Sequence, residues 1–241
     1  MIITNKPLFK KGLLLMASFL CVFVSLFLPI WGGHGNGLDA ADNMFNRLSK
    51  GSSYFIPGVQ KQVLELDGKT VTITAKVKDP KLAARAVENL TKAGATAEFK
   101  DDAITYSGDL SKILSAALTD ADDLFNDRGK AVLDRYATTD KDAEKTIVKA
   151  WWSVLDPSIK ELQKQKLIQE AKVVGQVNKR GLEPGYNFYG IKSEKVLDNV
   201  LALVGLLVFY VIYTMWYGYA IFDMFGGVGL GMSKPKIKKE A

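Results

Sequence analysis

The amino-acid sequence predicts an α+β membrane protein in which two transmembrane helices flank an extracytoplasmic domain. Two segments, residues 12–31 and 199–222, contain no charged residue. At about 1.5 Å per residue they would reach roughly 30 and 36 Å as helices, enough to cross a hydrocarbon core of about 30 Å. Between these two segments, strand-like and helix-like patterns alternate over residues 59–126, and only helical patterns occur over 127–181. We therefore expect a four-stranded sheet, compatible with a rearranged ferredoxin-like fold, and then long helices.

The first apolar segment also has the charge and hydropathy pattern that begins a secretory signal. It is longer than the usual signal core of roughly 7–15 residues, and no A-x-A-like cleavage site follows it, so we expect a retained anchor. The chain then divides into a cytoplasmic tail (1–11), transmembrane helix 1 (12–31), a spacer with a short helix (32–58), an α+β domain (59–126), a helical arm (127–181), a juxtamembrane connector (182–198), transmembrane helix 2 (199–225) and a basic cytoplasmic tail (226–241).

Lysines near the apolar segments predict the orientation. Lys6, Lys10 and Lys11 precede the first segment, and the first basic residue after it is Arg47. Because basic residues near a span favour the cytoplasmic side, the N-terminus is expected inside. The second span returns the chain to that side, where the tail carries Lys234, Lys236, Lys238 and Lys239. The sequence thus predicts a two-span protein of the cytoplasmic (inner) membrane, with residues 32–198 extracytoplasmic.

Two hairpins and two helices are expected in the α+β domain. Strands 59–66 and 71–78 flank Asp67-Gly68, a strong hairpin signal. A helix over 80–93 follows, with Asp79 as its N-cap.

A second hairpin turns at Asp101-Asp102 and would pair Phe99 with Ile104, Ala97 with Tyr106 and Glu98 with Thr105. The helix over 110–125 then shows an apolar residue at every third or fourth position.

The helical arm shows two long patterns. The first covers 140–155; Asp156-Pro157 then predicts a break and the start of a second helix, which Gly181 ends. The apolar stripe of the second helix is thin, which suits packing on one neighbour or a seam with a second copy.

Composition excludes several classes of site. With one His (His34) and one Cys (Cys21), the chain cannot build a Cys/His zinc site, an intrachain disulfide or an iron–sulfur cluster. Asp120, Asp122, Asp123 and Asp127 resemble a calcium loop, but Phe125 and Ala131 stand where that loop needs Gly and Glu. The net charge of +6 comes mainly from the two tails, which disfavours a nucleic-acid partner. We therefore expect no catalytic residue, no metal and no cofactor.

The second apolar segment is unusually aromatic for a simple anchor. Tyr210, Tyr213 and Tyr217 recur at spacings of three and four, with Trp216 beside them, while Gly205 and Gly218 leave room for a close neighbour. The pattern favours contact with another membrane protein, a structured lipid or a quinone. An extended interfacial aromatic belt is the alternative.

These features predict a non-catalytic accessory or scaffold subunit of a membrane protein complex, whose partners are membrane lipid and other membrane protein subunits or further copies of itself. The alternative is a homo-oligomeric envelope protein. In layout only, the chain resembles polysaccharide co-polymerases, with inward tails, two spans, and an outward α/β base with long helices. It has Pro184 where that family has a proline-rich stretch before the second span.

Overall fold

The computed structural model describes residues 3–31, 35–140 and 142–230. The predictions for His34 and for Lys234, Lys236, Lys238 and Lys239 therefore lie outside the described residues. The chain divides into two compact units. One holds Met1–Leu48 with Glu194–Ala241, and the other holds Ser49–Ser193.

Helices predominate among the described residues, and a small antiparallel sheet accompanies them, so the expected mixed α+β character is confirmed. In chain order the elements are α1 (Lys6–Ser25), α2 (Gly37–Ser52), α3 (Ile56–Leu64), β1 (Thr70–Lys76), α4 (Pro80–Lys92), β2 (Thr96–Lys100), β3 (Ala103–Asp109), α5 (Leu110–Phe125), α6 (Gly129–Tyr136), α7 (Ala143–Lys164), α8 (Ile168–Val177), a π-helix (Asn178–Leu182), α9 (Glu183–Asn187), a 3₁₀-helix (Val196–Asn199) and α10 (Val200–Gly227).

The first unit is built on α1 and α10, which run antiparallel. Within the described residues, these are the two helices that are long and apolar enough to cross a membrane, the second counted with the 3₁₀-helix before it. Only 6% of the most apolar stretch of α1 is buried, and 0% of that in Val196–Gly227. A core helix of a soluble protein buries its apolar stripe, so these helices are not of that kind.

The sheet of the second unit has three strands among the described residues, in the order β1-β3-β2, with both pairings antiparallel. The β2–β3 hairpin confirms the prediction: Phe99 lies opposite Ile104, and the other two expected pairs also form. Asp101 and Asp102 have φ angles of 51° and 57°. Positive φ at both central residues is the condition for a type I′ turn, and aspartate tolerates it better than most residues.

The predicted strand over 59–66 is wrong, and with it the first hairpin and the four-stranded sheet. This segment lies largely in α3, and β1 pairs with β3 instead. The physical reason is the spacing of four buried residues, Ile56, Val59, Val63 and Leu66. Steps of three and four place all four on one face of a helix, whereas a strand would divide them between two faces.

The predicted helix break at 156–157 is also wrong, because Pro157 lies inside α7. Proline removes one helical hydrogen bond. The buried stripe formed by Ile147, Trp151, Val154 and Leu162 nevertheless continues past it, so tertiary packing compensates for the lost bond. The chain breaks instead at Lys166, whose φ is 63°, and the single helix expected over 157–180 is divided between α7, α8 and the π-helix.

One hydrophobic core joins the sheet to the helices of the second unit. It includes Ile73 of β1, Leu114 of α5 and the fully buried Trp151 of α7. Residues 127–181, which the sequence assigns to a separate arm, contribute Val132 and Val174 to this same core. The opposite face of the sheet is polar, with hydroxyl pairs such as Thr74 and Thr105, 3.0 Å apart.

Candidate functional site

Glycine allows α1 and α10 to approach closely. A Cβ atom added at Gly12 would lie 2.6 Å from the backbone nitrogen of Met224, and one at Gly227 would lie 2.6 Å from Cβ of Phe9. Neither position has room for a side chain. The backbone N–H groups of Thr4 and Asn5 both donate to the carbonyl oxygen of Gly227 at 2.9 Å. This end of the helix pair is therefore tightly joined.

Aromatic rings join the same two helices farther along. The ring of Phe19 on α1 stacks on Tyr213, with centroids 4.4 Å apart, and also contacts Tyr217 at 5.1 Å. Tyr213 is half-buried between the two helices, whereas Tyr217 touches Phe19 and still leaves 45% of its surface exposed. Tyr210 is 63% exposed. The tyrosines therefore do not form one uniform outward face.

The other predicted contact residues divide in the same way. In the described part of the chain, a Cβ added at Gly205 or Gly218 meets no atom within 4 Å. Gly205 opens onto a cleft of about 430 Å³ shared with Trp31 and the start of α2. Trp216 lines a separate groove between α1 and α10. Within the described residues, neither its Nε1 nor the hydroxyl of Tyr213 has a hydrogen-bond partner, although both atoms are enclosed.

A stripe that sequence analysis did not single out surrounds Gly218. Val211, Met215 and Phe222 are 47%, 51% and 51% exposed. Together with Gly218 they recur at spacings of four, three and four, so they share one face of α10. This face points away from Ala220, which is buried, and Met215 at its edge also borders the groove beside Trp216. The spacing of these residues is present in the sequence, on a face of α10 next to that of Tyr210 and Tyr217.

An ion pair links the two apolar helices near the lysine-rich end. Nζ of Lys11 lies 3.0 Å from Oδ2 of Asp223; the Asp223 side chain is 8% exposed and that of Lys11 is 68% exposed. The other two described orienting lysines, Lys6 and Lys10, are exposed. A local sequence pattern does not reveal this pair, because Lys11 and Asp223 lie at opposite ends of the chain.

The acidic cluster of α5 belongs to a buried hydrogen-bond network. Asp120 accepts from the Tyr136 hydroxyl at 2.6 Å, from Trp151 Nε1 at 2.7 Å and from the Arg135 guanidinium. Burial raises the pKa of the Asp120 carboxyl, and these three donors oppose the rise. Burial and the neighbouring carboxylate raise the pKa of Tyr136. The network joins α5, α6 and α7, which is a structural role.

Two further arginine contacts occupy this cluster. Asp123 accepts from Arg128 Nε at 2.8 Å and from Arg135 Nη2 at 2.5 Å, and Asp122 accepts from Arg128 Nη2 at 2.6 Å. Within residues 3–31, 35–140 and 142–230, no group of His, Cys, Asp and Glu could hold a metal ion. The carboxylates that resemble a calcium loop in sequence thus have cationic side chains as their partners.

The second unit also carries an open cleft of about 360 Å³ between α7 and α9. Trp152 and Tyr186 line it and are 41% and 36% exposed. Lys149 and Glu183 add charges of both signs. The Lys145 ammonium lies 5.8 Å from the centroid of Tyr186 and orders one wall. An aromatic cleft with a polar rim is typical of a protein-contact surface.

Comparison of the chain with protein families, curated proteins and solved structures finds no match. The function is therefore inferred from the residues and their geometry alone.

Proposed function

We propose that this chain is a non-catalytic, membrane-anchored accessory or scaffold subunit of a membrane protein complex. In this proposal α1 and α10 cross the cytoplasmic membrane, and Ser49–Ser193 forms an extracytoplasmic domain that contacts partners. The observation that carries the proposal is the exposed apolar surface of the two helices.

This surface would be unfavourable in water. Leu14, Leu201 and Leu207 are 71%, 87% and 63% exposed. Large contiguous apolar surface is uncommon on soluble monomers, whereas lipid covers such surface favourably. The backbone of each helix satisfies its own hydrogen bonds, as a bilayer requires.

The lysines supply the orientation. Lys6, Lys10 and Lys11 lie in the first turns of α1, where an ammonium reaches the interface and basic residues favour the cytoplasm. Since α10 runs antiparallel to α1, its C-terminal end belongs on the same side.

Contact with another membrane protein is supported by the exposed stripe around Gly218. Helices in lipid associate by close packing, and a glycine at the centre of an apolar face lets a second backbone approach. The cleft beside Trp152 offers the extracytoplasmic domain a second contact surface. A non-catalytic role is consistent with the composition, because the chain has one histidine, the commonest general acid–base residue, and one cysteine.

The orientation is tested by adding protease to sealed, right-side-out spheroplasts. We expect cleavage within the middle of the chain and protection of both ends. Protection of the middle with loss of the ends, or a mature chain that starts after Trp31, would contradict the proposal.

The partner is tested by mild-detergent extraction and mass photometry of the tagged full-length chain. We expect it to migrate with different polypeptides, and Gly218→Leu to release them while preserving insertion. Gly205→Leu is the matched control, since it fills an equally open position on the cleft rather than on the stripe. A ring of identical copies would favour the homo-oligomeric alternative, and a solitary chain would contradict both.

A further inference from the structure

The paired helices α1 and α10 leave two grooves, which differ in the charge of their described lining. The first groove, of about 560 Å³, is lined by Lys11, Leu15, Ile212, Met215, Trp216 and Tyr219. The second, of about 310 Å³, is lined by Phe9, Met16, Ile221, Met224, Phe225, Val228 and Leu230. Among these described lining residues, Lys11 is the one that carries a charge.

The charged and apolar parts of the first groove are arranged to complement a phospholipid. Lys11 lies near the start of α1, and Trp216 lies seven residues before Asp223, the ion-pair partner of Lys11. At about 1.5 Å per residue, the backbone of Trp216 lies roughly 10 Å farther from the lysine-rich end than that of Asp223, the partner of Lys11. An apolar wall of this length below a cation suits the upper part of an acyl chain below an anionic headgroup.

The ammonium of Lys11 retains the capacity to bind a headgroup. It is 68% exposed although it pairs with Asp223. An ammonium has three N–H donors, and the carboxylate takes one direction of approach. Lys10 precedes it in sequence but does not line the groove among the described residues. Basic positions between membrane helices on the cytoplasmic side are known to attract anionic headgroups.

We propose that the groove beside Lys11 and Trp216 binds one anionic phospholipid, with its phosphate at Lys11 and an acyl chain along Leu15, Ile212 and Trp216. This inference rests on the proposed insertion of α1 and α10 in a membrane. The opposite groove is built on the same two helices and binds acyl chains without preference for headgroup charge, because its described lining is uncharged.

The test uses quenching of Trp216 fluorescence by phospholipids that carry bromine on the acyl chain. The full-length chain is placed in vesicles that contain brominated phosphatidylglycerol with plain phosphatidylcholine, or the reverse. The difference in quenching between the parent chain and Trp216→Phe gives the contribution of Trp216, because Trp31 is also exposed. We expect phosphatidylglycerol to be preferred at Trp216 by roughly five-fold, the ratio that one lysine supplies at an anionic surface.

Variants separate a site from general surface attraction. Lys11→Gln should bring the ratio close to one, Lys11→Arg should keep it, and Asp223→Asn should raise it because the ammonium loses its internal partner. Lys10→Gln is the matched control and should keep the ratio. The second groove is tested with the double variant Met16→Trp/Trp216→Phe, which places a tryptophan there. We expect phosphatidylglycerol and phosphatidylcholine to quench this tryptophan about equally.

Equal quenching of Trp216 by both lipids would overturn the proposal, as would an equal loss in Lys10→Gln and Lys11→Gln. If Lys11→Gln does not fold, the other two variants still test the proposal: an unchanged ratio in Lys11→Arg with a raised ratio in Asp223→Asn supports it, and an unchanged or lowered ratio in Asp223→Asn overturns it. Quenching by neither lipid would instead contradict the membrane insertion on which the proposed function depends.

Discussion

Lys50 and Asp127 form an ion pair in which the ammonium is almost fully enclosed: Nζ lies 2.8 Å from Oδ2, and the Lys50 side chain is 4% exposed. The other carboxylate oxygen of Asp127 accepts from the backbone N–H of Gly190 at 2.7 Å. Lys50 lies where the chain enters the second unit, and Gly190 lies close to where it leaves. One carboxylate therefore holds both ends of Ser49–Ser193.

Asp127→Asn should destabilise this unit by about 2–3 kcal/mol. The change leaves a buried ammonium without its counter-charge, and removal of one partner of a fully buried pair costs roughly 3–5 kcal/mol. The smaller value applies because the Asp127 side chain is 45% exposed. Urea unfolding of the full chain in detergent micelles, followed by tryptophan fluorescence, gives the free energy. The exposed Asp134→Asn is the control, and an equal effect in both variants would contradict this role.

Tyr136→Phe should cost about 1.5–3 kcal/mol, because its hydroxyl donates to the buried carboxylate of Asp120. Tyr54→Phe removes a bond of the same length, 2.6 Å, to Asp122, at a tyrosine that is 45% exposed. Water replaces that second bond, so we expect a loss below about 1 kcal/mol. The same urea titration compares the unfolding free energies of Tyr136→Phe and Tyr54→Phe. Similar losses would show that burial of the Asp120 network adds no stability.

Because of Tyr106, we expect the second unit to lose stability in alkaline solution. Burial raises its pKa from 10.0 to about 12, while the hydrogen bond to Ser158 acts in the opposite direction. Because the unfolded state loses the proton first, the stabilisation is complete below pH 10 and is lost as the pH rises to about 12. Each pKa unit is worth about 1.4 kcal/mol, so the loss is roughly 3 kcal/mol.

Tyr106→Phe isolates this contribution. The variant should lose about 1 kcal/mol at neutral pH, where the hydrogen bond is missing, yet fall less steeply than the parent chain between pH 10 and 12. Unfolding free energies measured across this range provide the comparison. Parallel curves for the two proteins would show that the phenol of Tyr106 does not govern the alkaline transition.

Gly12→Ala should weaken the packing of α1 against α10, whereas Gly218→Ala should leave that packing unchanged. The added methyl group at Gly12 would lie 2.6 Å from the backbone nitrogen of Met224, and overpacking of this kind costs about 1–3 kcal/mol. At Gly218 the described surroundings leave the methyl group free, and the helix gains slightly from alanine. Unfolding by SDS in mixed micelles measures both, and equal midpoints would refute the close packing at Gly12.

Local patterns were sufficient for some elements of the second unit. The two aspartates at 101 and 102 determine a tight turn, and the alternation around them determines the register of β2 and β3. Asp79 caps α4 as expected, with Oδ1 accepting from the N–H of Lys81 at 2.9 Å. In each case the interacting groups are a few residues apart, so a short window of sequence contains the whole interaction.

By itself, the sequence determined two long apolar helices, the lysines beside them, one hairpin and the capped helix between the strands, because hydropathy, periodicity and capping are local properties. Tertiary structure decided the rest: that residues 56–64 form a helix, that Pro157 remains inside α7, and that Asp223 meets Lys11 while Phe19 meets Tyr213. These outcomes depend on which distant side chains become neighbours, since packing can override a local preference of about 1 kcal/mol. A single sequence does not contain that information in any one segment.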